Sequence, residues 1–170
     1  MAGPTLSVVI PCYNEEDGIL ELHRRVTAVC TEQLNDDYEL VLINDGSRDS
    51  TWKIMQDLSQ IDRRVVAINL SRNHGHQLAL SAGLQLCRGN RVFILDADLQ
   101  DPPELLSKMM ERMDHGCDVV YGQRIKRDGE TMFKKASAHF FYRMLNRMVD
   151  IDIPAAVSYT HLRAHETPEH

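Results

Sequence analysis

The sequence lacks most of the devices that staple or anchor a small protein. Its four cysteines, Cys12, Cys30, Cys87 and Cys117, stand singly with no C-x-x-C pair. That excludes a dense disulfide framework and a structural zinc site, and it fits a reducing cytosol. Met1 to Thr5 shows no basic start followed by an apolar core, so no secretory leader is expected. No window reaches the roughly 18 apolar residues that cross a bilayer, so any membrane contact is expected at a surface. Positive charge is also in deficit. With 19 Lys and Arg against 25 Asp and Glu, the net charge is −6, the wrong sign for a protein that wraps nucleic acid. What is present is ordinary: 170 residues, 43% hydrophobic and 26% charged, enough to bury one core and to exclude disorder as the main state.

Short apolar runs rich in β-branched residues recur at 6–10, 39–43, 65–69, 91–95 and 118–121, and they predict strands buried on both faces. Between them, 16–31, 51–60, 77–87 and 103–113 have helical length and period. Strand and helix alternate, which predicts an α/β domain with a mainly parallel sheet flanked by helices. Such sheets bind ligands beyond the carboxyl ends of their strands. Four polar loops, at 11–15, 44–51, 71–76 and 96–103, follow the first four runs.

Asp96 and Asp98 are the sharpest feature. Two carboxylates two residues apart at a strand end can face one cleft, and Mg²⁺ or Mn²⁺ is the natural ion to hold them, completed by water and phosphate oxygens. Alternatively one Asp caps the next helix and the other is solvated. Asp101-Pro102-Pro103-Glu104 offers a better cap, which frees Asp96 and Asp98 for metal, with Gln100 a neutral ligand. Asp45, before Gly46, is either a turn residue or an acceptor for a base or ribose. Asn14 reads as a helix N-cap, and Tyr13 either stacks on a base or packs. His74 and His76 form an H-x-H with no third ligand close by; His76 is expected to begin the following helix, leaving Arg72 and Asn73 to meet a polar ligand. Arg124 is placed to contact phosphate, or forms a surface ion pair.

Taken in order, Val9-Ile-Pro-Cys-Tyr-Asn-Glu15, Asn44-Asp-Gly-Ser-Arg-Asp-Ser-Thr51, Arg72-Asn-His-Gly-His76, Asp96-Ala-Asp-Leu-Gln-Asp-Pro-Pro103 and Val120-Tyr-Gly-Gln-Arg124 resemble the family 2 glycosyltransferases. Within that family they are most similar to the polyprenyl-phosphate sugar transferases, and the likeness runs from about Leu6 to Pro154. The resemblance implies a GT-A fold binding a nucleotide-sugar donor, with Pro11, Tyr13, Glu15, Asp45 and Arg72 around the nucleoside. Asp96, Asp98 and Gln100 would hold Mg²⁺ or Mn²⁺ against the diphosphate, and Arg124 would meet a phosphate; Asp98 and Arg124 are the expected catalytic residues. A polyprenyl phosphate acceptor is already anionic and needs no general base, so a single inverting displacement is implied.

Residues 131–149 alternate apolar and basic side chains, and 124–149 holds seven basic residues against two acidic. Such a stretch suits an anionic membrane surface, or it is an ordinary covering helix. In the resembling family it is juxtamembrane, which implies a peripheral position on the cytoplasmic face of a membrane. Past residue 154 the likeness stops. The run 155–170 shows neither strand alternation nor a helical stripe and is expected to lie outside the fold, as sequence foreign to the family, leaving 1–154 an incomplete catalytic domain. A nucleotide-sugar binding fragment without turnover is therefore the alternative function. A receiver domain would need an acidic pair after the first strand, and a nucleotidyltransferase a glycine-rich phosphate loop; neither is present. Trp52 is the sole tryptophan, so the Q-x-x-R-W motif of processive synthases is absent too.

Overall fold

A computed structural model describes residues 3–123 together with the backbone of 157–164. In chain order the elements are β1 Leu6–Cys12, α1 Ile19–Leu34, β2 Tyr38–Asn44, α2 Thr51–Ile61, β3 Val65–Asn69, α3 His76–Leu86, β4 Arg91–Ile94, a 3₁₀ turn Pro103–Leu105 running into α4 Leu106–Asp114, β5 Val119–Gln123 and β6 Val157–Ala164. The sheet order is β3-β2-β1-β4-β6-β5. The first four strands in that row are parallel, and β6 pairs antiparallel with both neighbours. The fold is α/β with helices on both faces, as the alternation predicts.

The period-2 geometry of β1 divides the core. Leu6, Val8, Ile10 and Cys12 face one layer with Leu40, Leu42 and Phe93, and the apolar stripes of α1, α2 and α4 cover them: Ile19, Leu22, Val26 and Cys30; Met55 and Leu58; Leu106, Met109, Met110 and Met113. Val9, Val41, Ile43, Val92 and Ile94 face the other layer beneath α3. That helix approaches closely because Gly83 sits where a Cβ would meet the Val9 and Ile43 side chains at 2.6 Å. β1 and β2 are buried along their whole length. β3 lies at the sheet edge with a mostly half-buried pattern, and Val119 and Tyr121 of β5 are exposed.

Strand order reverses between β1 and β4, the position at which the loops of an open α/β sheet part into a crevice. Pro11 marks the place. The β1–β4 register ends at Val9 opposite Ile94, and the Leu95 N–H still donates to the Val9 carbonyl. Pro11, next on that side of β1, has no N–H with which to continue the ladder, so the chain after Leu95 leaves the sheet.

One expected cap is absent. α1 opens at Ile19 behind Gly18, with the Glu15 carbonyl accepting from the Gly18 and Ile19 N–H groups, and Asn14 sits at φ 55° as a turn residue. The 3₁₀ turn opens at Pro103 behind Pro102, with Asp101 buried just before it. The expectation for 155–170 is corrected as well: Val157–Ala164 is a strand between β4 and β5, held by backbone pairing that needs no apolar alternation. Arg124 and the 131–149 segment lie outside the described residues. Among the described residues no helix is long and apolar enough to cross a membrane. Cys12, Cys30 and Cys87 are buried free thiols and Cys117 is exposed.

Candidate active site

The loops after β1, β2, β3 and β4 enclose a cleft of about 310 Å³ lined by Pro11, Cys12, Tyr13, Glu15, Asp45, Asn73, Gly75, His76, Asp96, Ala97 and Asp98. The first two loops are locked into one unit. The Asn14 N–H donates to Ser47 Oγ at 3.0 Å and Asn14 Oδ1 accepts from the Arg48 N–H at 2.9 Å. The Glu15 N–H donates to Thr51 Oγ1 at 2.8 Å, Glu16 N–H to Asp49 Oδ2 at 3.2 Å, and Ser50 N–H to Glu16 Oε2 at 2.8 Å. With its backbone bound on both sides, Glu15 projects a fixed carboxylate into the cleft. Burial, then the charges of Asp98 and Asp49, push its pKa above the usual range.

Asp45 is a turn residue, the first of its two sequence readings. It precedes a Gly46 at φ 65°, where a Cβ would run into the backbone of Arg72 and Asn73, so the turn admits only glycine without displacement. Its carboxylate is 3% exposed and accepts the N–H groups of His74 at 2.7 Å and Gly75 at 2.9 Å. Asp45 thus fixes the third loop while lining the cleft.

Asp96 and Asp98 line the same wall, with Leu99 beyond them at φ 57°. Asp98 Oδ1 accepts the Gln100 N–H at 3.0 Å, and Asp96 Oδ1 lies 3.0 Å from His76 Nε2. A carboxylate only accepts, so Nε2 carries the hydrogen. His76 is the first residue of α3, as the sequence indicated; its bond to Asp96 was not legible, because the partners are 20 residues apart and meet only through the sheet order. Of the expected site residues, Pro11, Tyr13, Glu15, Asp45, Asp96 and Asp98 meet in the cleft, whereas Arg72 and Gln100 are exposed and do not line it. Cys12, Asn73, Gly75 and His76 line it besides.

Among the described residues the lining holds four carboxylates and neither Lys nor Arg. No group of three or more His, Cys, Asp or Glu suited to a metal occurs among the described residues. Two aspartates on one wall therefore fit a hard cation that completes its shell with water and ligand oxygens, rather than one enclosed by protein.

Comparison with known proteins identifies the family and the fold. An uncharacterized glycosyltransferase of Bacillus subtilis, YkcC, is 50% identical over 148 residues, 87% of this chain and 46% of that protein. An undecaprenyl-phosphate 4-deoxy-4-formamido-L-arabinose transferase of Pseudomonas fluorescens is 47% identical over 116 residues, 68% of this chain and 34% of that protein. The chain thus spans less than half the length of these relatives. Among solved structures, the mannosyltransferase PcManGT of Pyrobaculum calidifontis, in complex with GDP-Man and Mn²⁺, superposes with a TM-score of 0.64 at 18% identity, covering 96% of this chain and 45% of that one. Glucosyl-3-phosphoglycerate synthase of Mycobacterium tuberculosis, with Mn²⁺ and UDP-glucose, gives 0.68 at 20%, covering 96% and 57%. These likenesses identify the fold as GT-A. The model of the family described as glycosyl transferase family 2 matches residues 7–166, and this chain belongs to that family.

Proposed function

We propose that the cleft is the donor site of a metal-dependent, inverting glycosyltransferase that moves a sugar from a nucleotide-sugar to a polyprenyl phosphate. One observation carries the reading: among the described residues the cleft presents four carboxylates, Glu15, Asp45, Asp96 and Asp98, and no Lys or Arg. A diphosphate entering such a space is repelled unless a cation comes between. Asp96 and Asp98 are the residues that would hold it, with Gln100 assigned to the same ion as a neutral ligand through rearrangement of its loop. Bound there, Mg²⁺ or Mn²⁺ would offset the charge that builds on the departing nucleotide diphosphate.

The protein's own part is placement. The locked first and second loops set Pro11, Tyr13 and Glu15 around the nucleoside. Asp45 holds the third loop, which carries Arg72 and Asn73 to the same side. Arg124 follows β5 in sequence and is assigned to a phosphate. An acceptor phosphate is anionic at neutral pH and needs no proton removed, in keeping with a cleft whose carboxylates are taken up by structure and cation. The basic stretch 131–149 is assigned to the membrane surface where such an acceptor resides, which makes the protein peripheral on the cytoplasmic face. The relative named as an undecaprenyl-phosphate transferase supports this acceptor class. A second reading is donor binding without turnover.

Calorimetric titration of UDP-glucose, UDP-GlcNAc and GDP-mannose, with and without Mn²⁺, tests the donor site. One of them should bind at least about tenfold more tightly with metal, as a released charge repulsion of ~1.4 kcal/mol requires, and Asp98→Ala should abolish the gain. Equal affinity with and without Mn²⁺ overturns the metal role. Sugar transfer to a short polyprenyl phosphate separates the two readings: binding with no product selects the second.

A further inference from the structure

We propose that His76 is a positioning residue that holds Asp96 turned toward Asp98, so that both carboxylates address one divalent cation. The inference rests on the donor-site reading above and adds a residue to it.

Three features carry it. The Nε2 hydrogen bond to Asp96 Oδ1 at 3.0 Å joins the start of α3 to the loop after β4, two elements on opposite sides of the end of β1. His76 is anchored independently of that loop, because α3 packs on β1 and β2 through Ala79 and Gly83. The β4 loop, by contrast, leaves the sheet after Leu95, so Asp96 has no strand partner to orient it. Asp96 and Asp98 share the cleft with Glu15, whose ionisation Asp98 already opposes. Like charges so placed favour side chains turned apart, and a donor on Asp96 counters that. The bond engages Oδ1, and a carboxylate with about four acceptor positions keeps capacity for a cation. The pair contributes little to folding, since the side chains of His76 and Asp96 are 40% and 26% exposed. Carboxylates that bind metal are themselves commonly held by hydrogen bonds from the protein, and loss of such a partner costs about 10–100-fold in metal affinity.

The test compares His76→Ala, His76→Gln and His76→Asn in the full chain, measuring UDP and GDP binding by calorimetry in Mn²⁺ and in chelator. Gln places an amide nitrogen near the position of Nε2, whereas Asn stops short of it. The wild type should show tighter nucleotide binding in Mn²⁺. His76→Ala and His76→Asn should raise the Mn²⁺ concentration for half-maximal enhancement about tenfold, and His76→Gln should stay within about threefold of wild type. Binding in chelator gives each variant its own baseline, so that the enhancement by Mn²⁺ is read as a ratio. Full enhancement in His76→Ala overturns the proposal, as does equal behaviour of the Gln and Asn variants, a comparison that stands even if the alanine variant is unstable. Absence of enhancement in the wild type overturns the donor-site reading itself, and this inference with it.

Discussion

The two ends of the sheet treat acidic residues differently. At the amino end of the strands, each buried acid is matched. Glu39, 3% exposed, accepts from Ser7 Oγ at 2.6 Å, from the Arg88 N–H at 2.6 Å and from the Arg88 guanidinium at 2.7 and 3.0 Å. Burial alone would raise its pKa, but those hydrogen bonds, from Ser7 first and then Arg88, hold it below the usual range. Asp62 accepts from Arg64 Nε at 2.8 Å and pairs with His23 at 3.0 Å, and its pKa is lowered to about 2, chiefly by the Arg64 hydrogen bond. Arg64 also lies 4.9 Å from the Tyr38 ring centroid. At the carboxyl end Glu15, Asp45, Asp96 and Asp98 share a cleft with no Arg or Lys on its lining among the described residues. There Asp45 is matched by backbone N–H groups and Asp96 by His76, while the charge of Asp98 bears on Glu15, in keeping with the cation site proposed above.

The contrast can be broken from either side. The largest effect is expected from Glu39→Ala, which strips partners from the buried Ser7 hydroxyl and the Arg88 N–H and should lower unfolding free energy by about 3 kcal/mol in urea titration. Gly46→Ala should cost ~2–3 kcal/mol through clash with the backbone of Arg72 and Asn73, and it should also weaken donor binding by displacing the third loop. Asp62→Asn should cost about 1–2 kcal/mol at neutral pH. A carboxylate with a depressed pKa contributes stability above the unfolded value near 4 that is lost as pH falls toward about 2. The variant's stability should therefore fall less steeply than wild type over that window.

The smallest effect has the opposite sign. Glu15 has a raised pKa, so its charged form opposes folding. That cost is relieved as pH falls through the folded value toward the unfolded one near 4.5. Glu15→Gln should leave the protein slightly more stable at pH 7, an advantage that solvent screening keeps small and that fades below pH ~4, as thermal melts at several pH values would reveal. A loss of stability at pH 7 would mean that the cleft's acids are held as favourably as those at the other end.

How much of this was legible in the sequence follows from the range of the interactions. The five apolar runs predicted strands whose ends lie within two residues of the observed ones; the expected burial on both faces holds for β1 and β2 but not for the half-buried β3 or for Val119 and Tyr121 of β5. The placement of polar loops after those strands was legible too, since parallel connectivity puts every such loop on the same edge. One cap was misread for a local reason. Asn14 is a good N-cap residue by type, yet it is committed to Ser47 and Arg48 across the loop, so α1 opens later. Contacts such as Asp45 with His74 and Gly75, or His76 with Asp96, span 20 to 30 residues; no local pattern encodes them. Val157–Ala164 was missed because pairing along the backbone can make a strand of a run without apolar alternation.

The proline in the central strand has a consequence for how such a cleft is kept open. A residue with an amide hydrogen at position 11 would offer the Leu95 carbonyl a mate. The fourth strand could then zip one rung further along its neighbour, drawing the following aspartates into the pleat, where alternate side chains point to opposite faces. A single imide nitrogen thus acts as a stopper, setting where regular structure gives way to the irregular backbone from which the acids reach their common space.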